Sequence, residues 1–161
     1  MASALGMQVI GYDPYISEPP LGIGLCGVDE LLSQSDYVSL HIPPTMHNQG
    51  LIGRKQLALM RSSAVLINTS AAEIVDHQAM VEALSQHRLG GAGLDIFHTH
   101  PIPPTDSLLS LNNVVLTPHI GGATLDTVER HSRAIATDIE RFLAGEQPLN
   151  LINPEIWQTH A

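Results

Sequence analysis

The chain has 161 residues, of which 43% are hydrophobic, and its formal net charge is −9. This length and apolar content fit one ordinary globular domain, and an acidic balance with only seven scattered Lys and Arg residues argues against a nucleic-acid-binding surface. No apolar run is long enough for a transmembrane helix, and the first residues lack the basic start of a secretory signal. The single Cys26 excludes an internal disulfide framework, which favours a cytoplasmic protein.

Short apolar runs alternate with segments of helical spacing along the chain. The runs predict strands at 7–12, 37–44, 64–70, 92–97 and 113–119, and the other segments predict helices at 28–34, 50–60, 76–91 and 124–146. Strands that are apolar throughout and alternate with helices indicate a parallel sheet covered on both faces. The sequence therefore predicts an α/β fold with a doubly wound parallel sheet.

Polar residues follow most of the predicted strands. Sheets of this type bind ligands beyond the carboxyl ends of their strands, so these residues are candidates for a binding crevice. Asp, Asn and His also cap turns, and for any single residue that role is an equally good interpretation. The candidates are Asp13, His41, Asn68 to Ala71, Asp95 and His119.

A dinucleotide site needs a glycine-rich turn between the first strand and the first helix, with an acidic residue about twenty positions later. Asp13 ends a predicted strand as that acidic residue would, but too few residues precede it to hold the turn. The stretch GIGLCG, residues 22–27, has the spacing G-x-G-x-x-G, yet it follows SEPPL rather than a strand. We therefore interpret it as a surface connection before the helix at Val28.

Two of the nine histidines, His98 and His100, are separated by one residue and could chelate a metal. A zinc site needs a third or fourth protein ligand, and none is assignable from the sequence. We therefore predict no metal site and expect both histidines to lie in a loop.

Five stretches occur in a specific order: LGMQVIGYDPY, LLSQSDYVSLHIPPT, GLIGRKQLALMRSSAVLINTS, VDHQAMVEALSQHRLGGAGLDIF and NNVVLTPHIGGAT. Together they resemble the NAD-binding domain of the D-isomer-specific 2-hydroxyacid dehydrogenases, a family that includes D-3-phosphoglycerate dehydrogenase and glyoxylate/hydroxypyruvate reductases. The resemblance implies a Rossmann-like sheet and hydride transfer between NAD and a small 2-keto or 2-hydroxy acid. It also implies a homo-oligomer, commonly a dimer.

The resemblance further implies roles for residues at the strand ends. Asp13 would bind the adenosine ribose and favour NAD over NADP, and Asp95 would bond the nicotinamide carboxamide. His119 would be the acid–base that protonates the keto oxygen. The residues that would line the cofactor cleft are His41, Pro43, Thr45, Thr69, Ser70, Gly121 and Gly122.

Two positions depart from the family pattern. Ala71 stands where the family usually has an arginine that clamps the substrate carboxylate, and losing one side of such a charged pair costs about 2–5 kcal/mol. His100 stands where the family usually has a glutamate that keeps the catalytic histidine protonated, and a histidine supplies no negative charge. We therefore expect little or no dehydrogenase activity and weak NAD binding from this chain.

The resemblance also sets the expected domain organisation. Residues 1–150 would be an incomplete NAD-binding domain that lacks its first strand and glycine-rich turn, and 151–161 would be a tail returning to an absent substrate domain. The first strand is central in the Rossmann order, so without it the two neighbouring strands lose the hydrogen-bonding partner that they share. The chain could be a piece of a longer protein, a truncated gene product, or a subunit whose partner supplies the strand. The alternative function is a non-catalytic remnant or oligomerisation module, with the long helix and the 50–60 segment available for contacts.

Overall fold

The computed structural model describes residues 1–19 and 22–159, except the side chains of 158 and 159. The chain divides into two compact units, Met1–Pro118 and His119–Ala161. Among the described residues, the strands lie in the first unit and the longest helix lies in the second. Residues 160 and 161 of the predicted tail fall outside the described residues.

Four strands of the first unit form one parallel sheet. They are β3 (Tyr37–Leu40), β4 (Val65–Asn68), β5 (Gly91–Leu94) and β6 (Val114–Leu116), and they lie side by side in chain order. The register aligns Leu40, Asn68, Leu94 and Leu116, so the carboxyl ends of the strands meet at one edge. The predicted α/β architecture with a parallel sheet is confirmed.

The other two strands form a separate parallel pair, β1 (Val9–Gly11) and β2 (Ile23–Leu25). Within the described residues, neither strand of this pair is hydrogen-bonded to β3. The pair and the four-stranded sheet are therefore two separate sheets in the part of the chain that the structure describes.

The glycine-containing stretch 22–27 differs from its prediction as a surface connection. Gly22 is in a turn with φ of +82°, residues 23–25 form β2, and Gly27 is the N-cap of the helix α1. Cys26 N donates to Gly11 O at 3.0 Å and extends the pairing with β1. The prediction of a surface connection was wrong because pairing with β1, a long-range contact, makes this short segment extended.

The described part of the chain contains four α-helices: α1 (Val28–Gln34), α2 (Arg54–Leu57), α3 (His77–Ser85) and α4 (Leu125–Leu143). The side chain of Asp76 caps α3 by accepting from Ala79 N at 2.9 Å. Thr124 caps α4 in the same way through Thr127 N at 3.1 Å. These local caps explain why both helices begin where the sequence predicts them to begin.

Helix α2 is much shorter than the predicted helix at 50–60. Ile52 N donates to Ile74 O at 2.9 Å, and Asp76 N donates to Ile52 O at 3.1 Å. This bridge holds the residues before α2 in an extended conformation against 73–76, so only Arg54–Leu57 is helical.

The core of the first unit lies on one face of the four-stranded sheet. Val38, Leu40, Leu66 and Leu94 are buried there against side chains of α1, α2 and α3. On the other face, Tyr37 is 59% and Val115 69% exposed. Burial of these side chains thus differs between the two faces of the sheet within the first unit.

The second unit contains α4 and the residues after it. Trp157, in a 3₁₀ turn, contacts the ring of Phe142 with the ring centroids 6.2 Å apart. None of the α4 side chains is buried. No helix among the described residues combines the length and apolar character that a membrane span requires.

Candidate functional site

The carboxyl ends of β4, β5 and β6 bring three polar residues together. Asp95 N donates to Asn68 O at 3.1 Å, and Thr117 N donates to Leu94 O at 3.0 Å. The Thr117 hydroxyl donates to the Asp95 carboxylate. Asn68 and Asp95 are 2% and 4% exposed and are the buried polar residues of the part of the chain that the structure describes. Three strands separated in sequence therefore build one polar cluster at the edge where such sheets bind ligands.

Asn68 fixes the loop that follows β4. Its Oδ1 accepts from Ser70 N at 3.1 Å and from Ala71 N at 3.3 Å, and its Nδ2 donates to Ala71 O at 2.7 Å. The Ser70 hydroxyl also donates to Ile42 O in the loop after β3. The conformation of the Thr69–Ser70 segment is thus set by one buried amide and one hydroxyl.

The loop after β3 contains the predicted cleft residues His41, Pro43 and Thr45. His41 Nε2 lies 2.9 Å from Ser39 Oγ. Asn48 holds the rest of the loop, because its Nδ2 donates to Pro43 O at 2.8 Å and its Oδ1 accepts from Thr45 N at 2.7 Å. Sequence reasoning did not single out Asn48, although an asparagine just before Gln-Gly is a typical turn residue.

Asp13 follows β1 and therefore belongs to the other strand pair. Its Oδ1 accepts from Tyr15 N at 2.8 Å, which orders the turn after the strand. The carboxylate is exposed to solvent, whereas that of Asp95 is buried. The two predicted cofactor-binding carboxylates thus lie in contrasting environments.

His98 and His100 contact different partners. The ring of His98 meets that of His77 edge-on, with centroids 6.1 Å apart, and His77 Nε2 lies 3.3 Å from an Asp106 oxygen. The ring of His100 instead lies beside Phe97 at 5.8 Å. Among the described residues, no group of three His, Cys, Asp or Glu side chains is arranged to hold a metal.

A cavity of about 160 Å³ lies between the 97–106 loop and the start of α3. His77, His98 and Asp106 supply its polar groups, and Phe97, Ile102 and Pro103 are among its apolar groups. Sequence reasoning noticed His98 but not His77 or Asp106, because their proximity depends on how the loop returns to the helix.

His119, the predicted acid–base, is the first residue of the second unit. Its φ is +56°, in the left-handed region that residues with a Cβ seldom adopt. Such backbone strain occurs preferentially at functional sites, where the surrounding structure maintains it. Gly121 and Gly122 follow in a turn that leads to the N-cap of α4.

Comparison with known proteins agrees with this arrangement. The family described as "D-isomer specific 2-hydroxyacid dehydrogenase, NAD binding domain" matches residues 1–121. The chain belongs to this family. A glyoxylate reductase from Korarchaeum cryptofilum is 41% identical over 158 residues, which are 96% of this chain and 48% of that protein.

Solved structures of D-2-hydroxyacid dehydrogenases and related reductases share the fold. A D-isomer specific 2-hydroxyacid dehydrogenase from Lactobacillus delbrueckii ssp. bulgaricus, solved in its NAD complexed form, matches with a TM-score of 0.85 and 32% identity over 94% of this chain and 50% of that chain. An acyclic imino acid reductase in complex with NADPH and D-Arg matches with a TM-score of 0.84 and 36% identity over 94% of this chain and 48% of that one. The chain spans about half the length of these relatives. The Rossmann-like fold inferred from the sequence is thereby confirmed.

The Thr117–Asp95 contact leads to a first prediction. Replacing Thr117 by valine keeps the shape but removes the hydroxyl donor, leaving a buried carboxylate with one fewer hydrogen bond. We expect the free energy of unfolding at pH 7 to fall by about 1–3 kcal/mol in urea titrations. Thr117→Ser, which keeps the hydroxyl, is the control and should lose less. An unchanged free energy of unfolding in Thr117→Val would show that the hydroxyl does not stabilise the buried carboxylate.

Proposed function

We propose that this chain is the cofactor-binding part of an oxidoreductase that exchanges hydride between NAD and a small 2-keto or 2-hydroxy acid. We further propose that the chain by itself binds NAD weakly and turns over little or no substrate. The observation that carries the proposal is the cluster of buried Asn68 and Asp95 with half-buried Thr117 at the carboxyl edge of the sheet, in a chain that belongs to the family.

We assign two carboxylates to the two ends of the dinucleotide. Asp13 offers an exposed carboxylate to the hydroxyls of the adenosine ribose, and Asp95 offers a carboxylate to the carboxamide of the nicotinamide. Asn68 fixes the segment of Thr69 and Ser70, which we assign to the nicotinamide end. We assign His41, Pro43 and Thr45 to the lining of the cofactor cleft. The family resemblance assigns Gly121 and Gly122 to the nicotinamide ring as well. When bound, the nicotinamide supplies or accepts the hydride.

The described residues suit the pyrophosphate of the dinucleotide less well. A phosphate turn joins a strand to a helix N-terminus, where backbone amides point at the anion. Gly22, Gly24 and Gly27 are instead distributed over a turn, the strand β2 and the cap of α1. This distribution supports weak binding by the isolated chain.

His119 is the proposed acid–base, which would give a proton to the keto oxygen of the substrate. Ala71 is buried and offers no cation to a substrate carboxylate, and His100 offers no negative charge to stabilise an imidazolium. Both substitutions favour binding without efficient turnover.

Steady-state assays test the catalytic half of the proposal. The purified chain is assayed with NADH and glyoxylate, hydroxypyruvate or phosphohydroxypyruvate. We expect it to turn over substrate well below about 1 s⁻¹, the low end for ordinary enzymes. The missing substrate arginine at Ala71 is the main reason. A rate near or above about 1 s⁻¹ that disappears in His119→Ala would contradict the claim of low activity while supporting the assigned acid–base.

Calorimetry tests cofactor binding independently of turnover. We expect NAD to bind with a dissociation constant well above micromolar, and Asp13→Ala to weaken it further because the ribose loses its carboxylate partner. NADP should bind more weakly than NAD, since its phosphate is repelled by Asp13. Asp29→Ala, an exposed carboxylate in the first turn of α1, is the matched control. Micromolar binding that is unaffected by Asp13→Ala would refute the assigned site.

A second candidate function is a non-catalytic binding or oligomerisation module. The apolar side chains left exposed along α4 favour it. In that case the small 2-keto and 2-hydroxy acids would not be substrates, and the chain would bind a protein surface instead. In either case the single cysteine suits a reducing cytoplasm, where we place the chain.

A further inference from the structure

Two side chains meet just beyond the last register pair of strands β5 and β6. That pair is Leu94 and Leu116, and Asp95 and Thr117 follow them directly. The Thr117 hydroxyl donates to the Asp95 carboxylate. We infer that Thr117 is a positioning residue, which fixes the Asp95 carboxylate in the orientation that receives the carboxamide of the nicotinamide. The inference rests on the proposed function and adds a residue to which the sequence analysis gave no role.

Hydrogen bonds hold the backbones of both residues in place. Asp95 N donates to Asn68 O at 3.1 Å, which ties Asp95 to the end of β4. Thr117 N donates to Leu94 O at 3.0 Å, which ties Thr117 to the end of β5. All of these residues belong to the first unit, so the contact between Thr117 and Asp95 does not depend on the second. The freedom that remains lies in the side chains.

An aspartate on a fixed backbone still has one loose torsion. The χ2 angle of Asp joins a tetrahedral to a planar carbon, and its preferences are broad rather than confined to sharp wells. The plane of the Asp95 carboxylate can therefore rotate unless a neighbouring donor fixes it. The hydroxyl of Thr117 is such a donor. Fixing the plane matters for a ligand because hydrogen bonds weaken steeply as their angle departs from linearity.

Threonine suits this task better than serine. Its β-branched side chain is stiff at χ1, so the position of the hydroxyl follows from that of the backbone. Pro118 comes next, and a residue before proline is confined to extended conformations. Because the allowed rotamers depend on the backbone, Pro118 limits the direction of the Thr117 hydroxyl further. The pair Thr117-Pro118 thus places a rigid donor at the end of β6.

Asn68, the other buried polar residue of this edge, serves a different purpose. Its Oδ1 accepts from Ser70 N and Ala71 N, and its Nδ2 donates to Ala71 O. Asn68 therefore orders the loop after β4, whereas the Thr117 hydroxyl acts on the carboxylate that we assign to the cofactor.

Positioning of this kind raises affinity by lowering the entropy lost on binding. A side chain that is already fixed need not be immobilised when the ligand arrives. Immobilising one side chain weakens binding by about threefold to tenfold. The loss should be confined to ligands that make a hydrogen bond with Asp95, which gives a readout that separates positioning from stability.

Two dinucleotides that differ only at the carboxamide test the inference. The acetylpyridine analogue of NAD carries a methyl ketone where NAD carries the carboxamide, so it lacks the N–H that Asp95 would accept. Titration of the full chain with each dinucleotide, followed through amide chemical shifts, gives the ratio of the two dissociation constants. For the wild-type chain we expect NAD to bind roughly 10 to 100 times more tightly, the effect of one hydrogen bond to a charged group.

Substitution of Thr117 should reduce this preference for NAD. Thr117→Val, which removes the donor, should reduce it by about threefold to tenfold. Thr117→Ser keeps the donor but not the stiff χ1, and should reduce it by about twofold. Asn113→Leu, just before β6, removes a hydrogen bond to Leu84 O and is the matched control. It should keep the wild-type preference, because a loss of stability alone weakens the binding of both dinucleotides equally.

The variant Asp95→Asn shows whether Thr117 acts through Asp95. Asp95→Asn should also reduce the preference for NAD, and adding Thr117→Val to it should cause no further reduction, because the two residues form one coupled unit. A preference that Asp95→Asn reduces and Thr117→Val leaves intact would overturn the inference while the proposed function stands. Where Thr117→Val fails to fold, an intact preference in Thr117→Ser has the same meaning. Equal binding of the two dinucleotides by the wild-type chain, or a preference that survives Asp95→Asn, would overturn both the inference and the assigned role of Asp95.

Discussion

Replacing Asn68 by leucine is expected to destabilise the chain by about 3 kcal/mol or more. The leucine has a similar volume, but it leaves two N–H groups and one carbonyl without the partner that Asn68 now supplies at a buried site. Each buried group that loses its hydrogen bond costs about 1–3 kcal/mol when water cannot replace the partner. Urea unfolding followed by circular dichroism measures the loss.

Asn113→Leu is the matched control for this change. Asn113 is only partly buried, and its side chain makes one hydrogen bond, to Leu84 O at 3.2 Å. We expect its substitution to cost about 1 kcal/mol. Amide exchange adds a local readout, because Ser70 and Ala71 donate to Asn68 and should exchange faster only in Asn68→Leu. Equal losses for both asparagines, with unchanged exchange at Ser70 and Ala71, would show that Asn68 does not fix the loop.

Gly90→Ala is expected to have a comparable effect for a steric reason. A Cβ on Gly90 would lie 2.6 Å from Ser63 O and 2.7 Å from Ser63 C, both of them backbone atoms at the entrance to β4. Gly90 N also donates to Ala64 O at 3.0 Å, so the two segments cannot separate without losing this bond. We expect a loss of about 2–3 kcal/mol, which lowers the melting temperature by roughly 4–12 °C.

Gly93→Ala tests whether this effect comes from close backbone approach. Gly93 lies in the adjoining strand β5, and the nearest atom to its Cβ would be Ile67 Cγ1 at 4.0 Å. This variant should keep or slightly raise the melting temperature, because alanine reduces the conformational entropy of the unfolded chain. Similar losses in both variants would mean that the close backbone approach at Gly90 is not the cause.

The parallel sheet could be predicted because its determinants are local. The runs around Val65–Asn68 and Gly91–Leu94 are apolar and short, and turn residues and helical spacing separate them. Helix α1 matches its predicted bounds of 28–34, and α4 begins where Thr124 caps it. Such patterns depend on residues within a few positions of each other, so the sequence alone displays them.

The short elements could not be predicted in this way. Residues 23–25 form a strand because they pair with β1, and residues near Ile52 are extended because they bridge to Val75. Each partner is more than ten residues away in sequence. Local propensity is weak in such segments, and long-range pairing overrides it.

The candidate site shows the same division between local and long-range determinants. Sequence by itself identified Asp95, Thr69, Ser70 and His119 as residues at strand ends, and the family motifs assigned their chemistry. Only the tertiary structure decided that Asn68 and Asp95 are buried beside Thr117 and that His119 adopts a left-handed conformation. The reason is physical: a pattern of residue types specifies which side chains can perform a function, whereas burial, backbone strain and proximity arise from contacts between segments far apart in the chain.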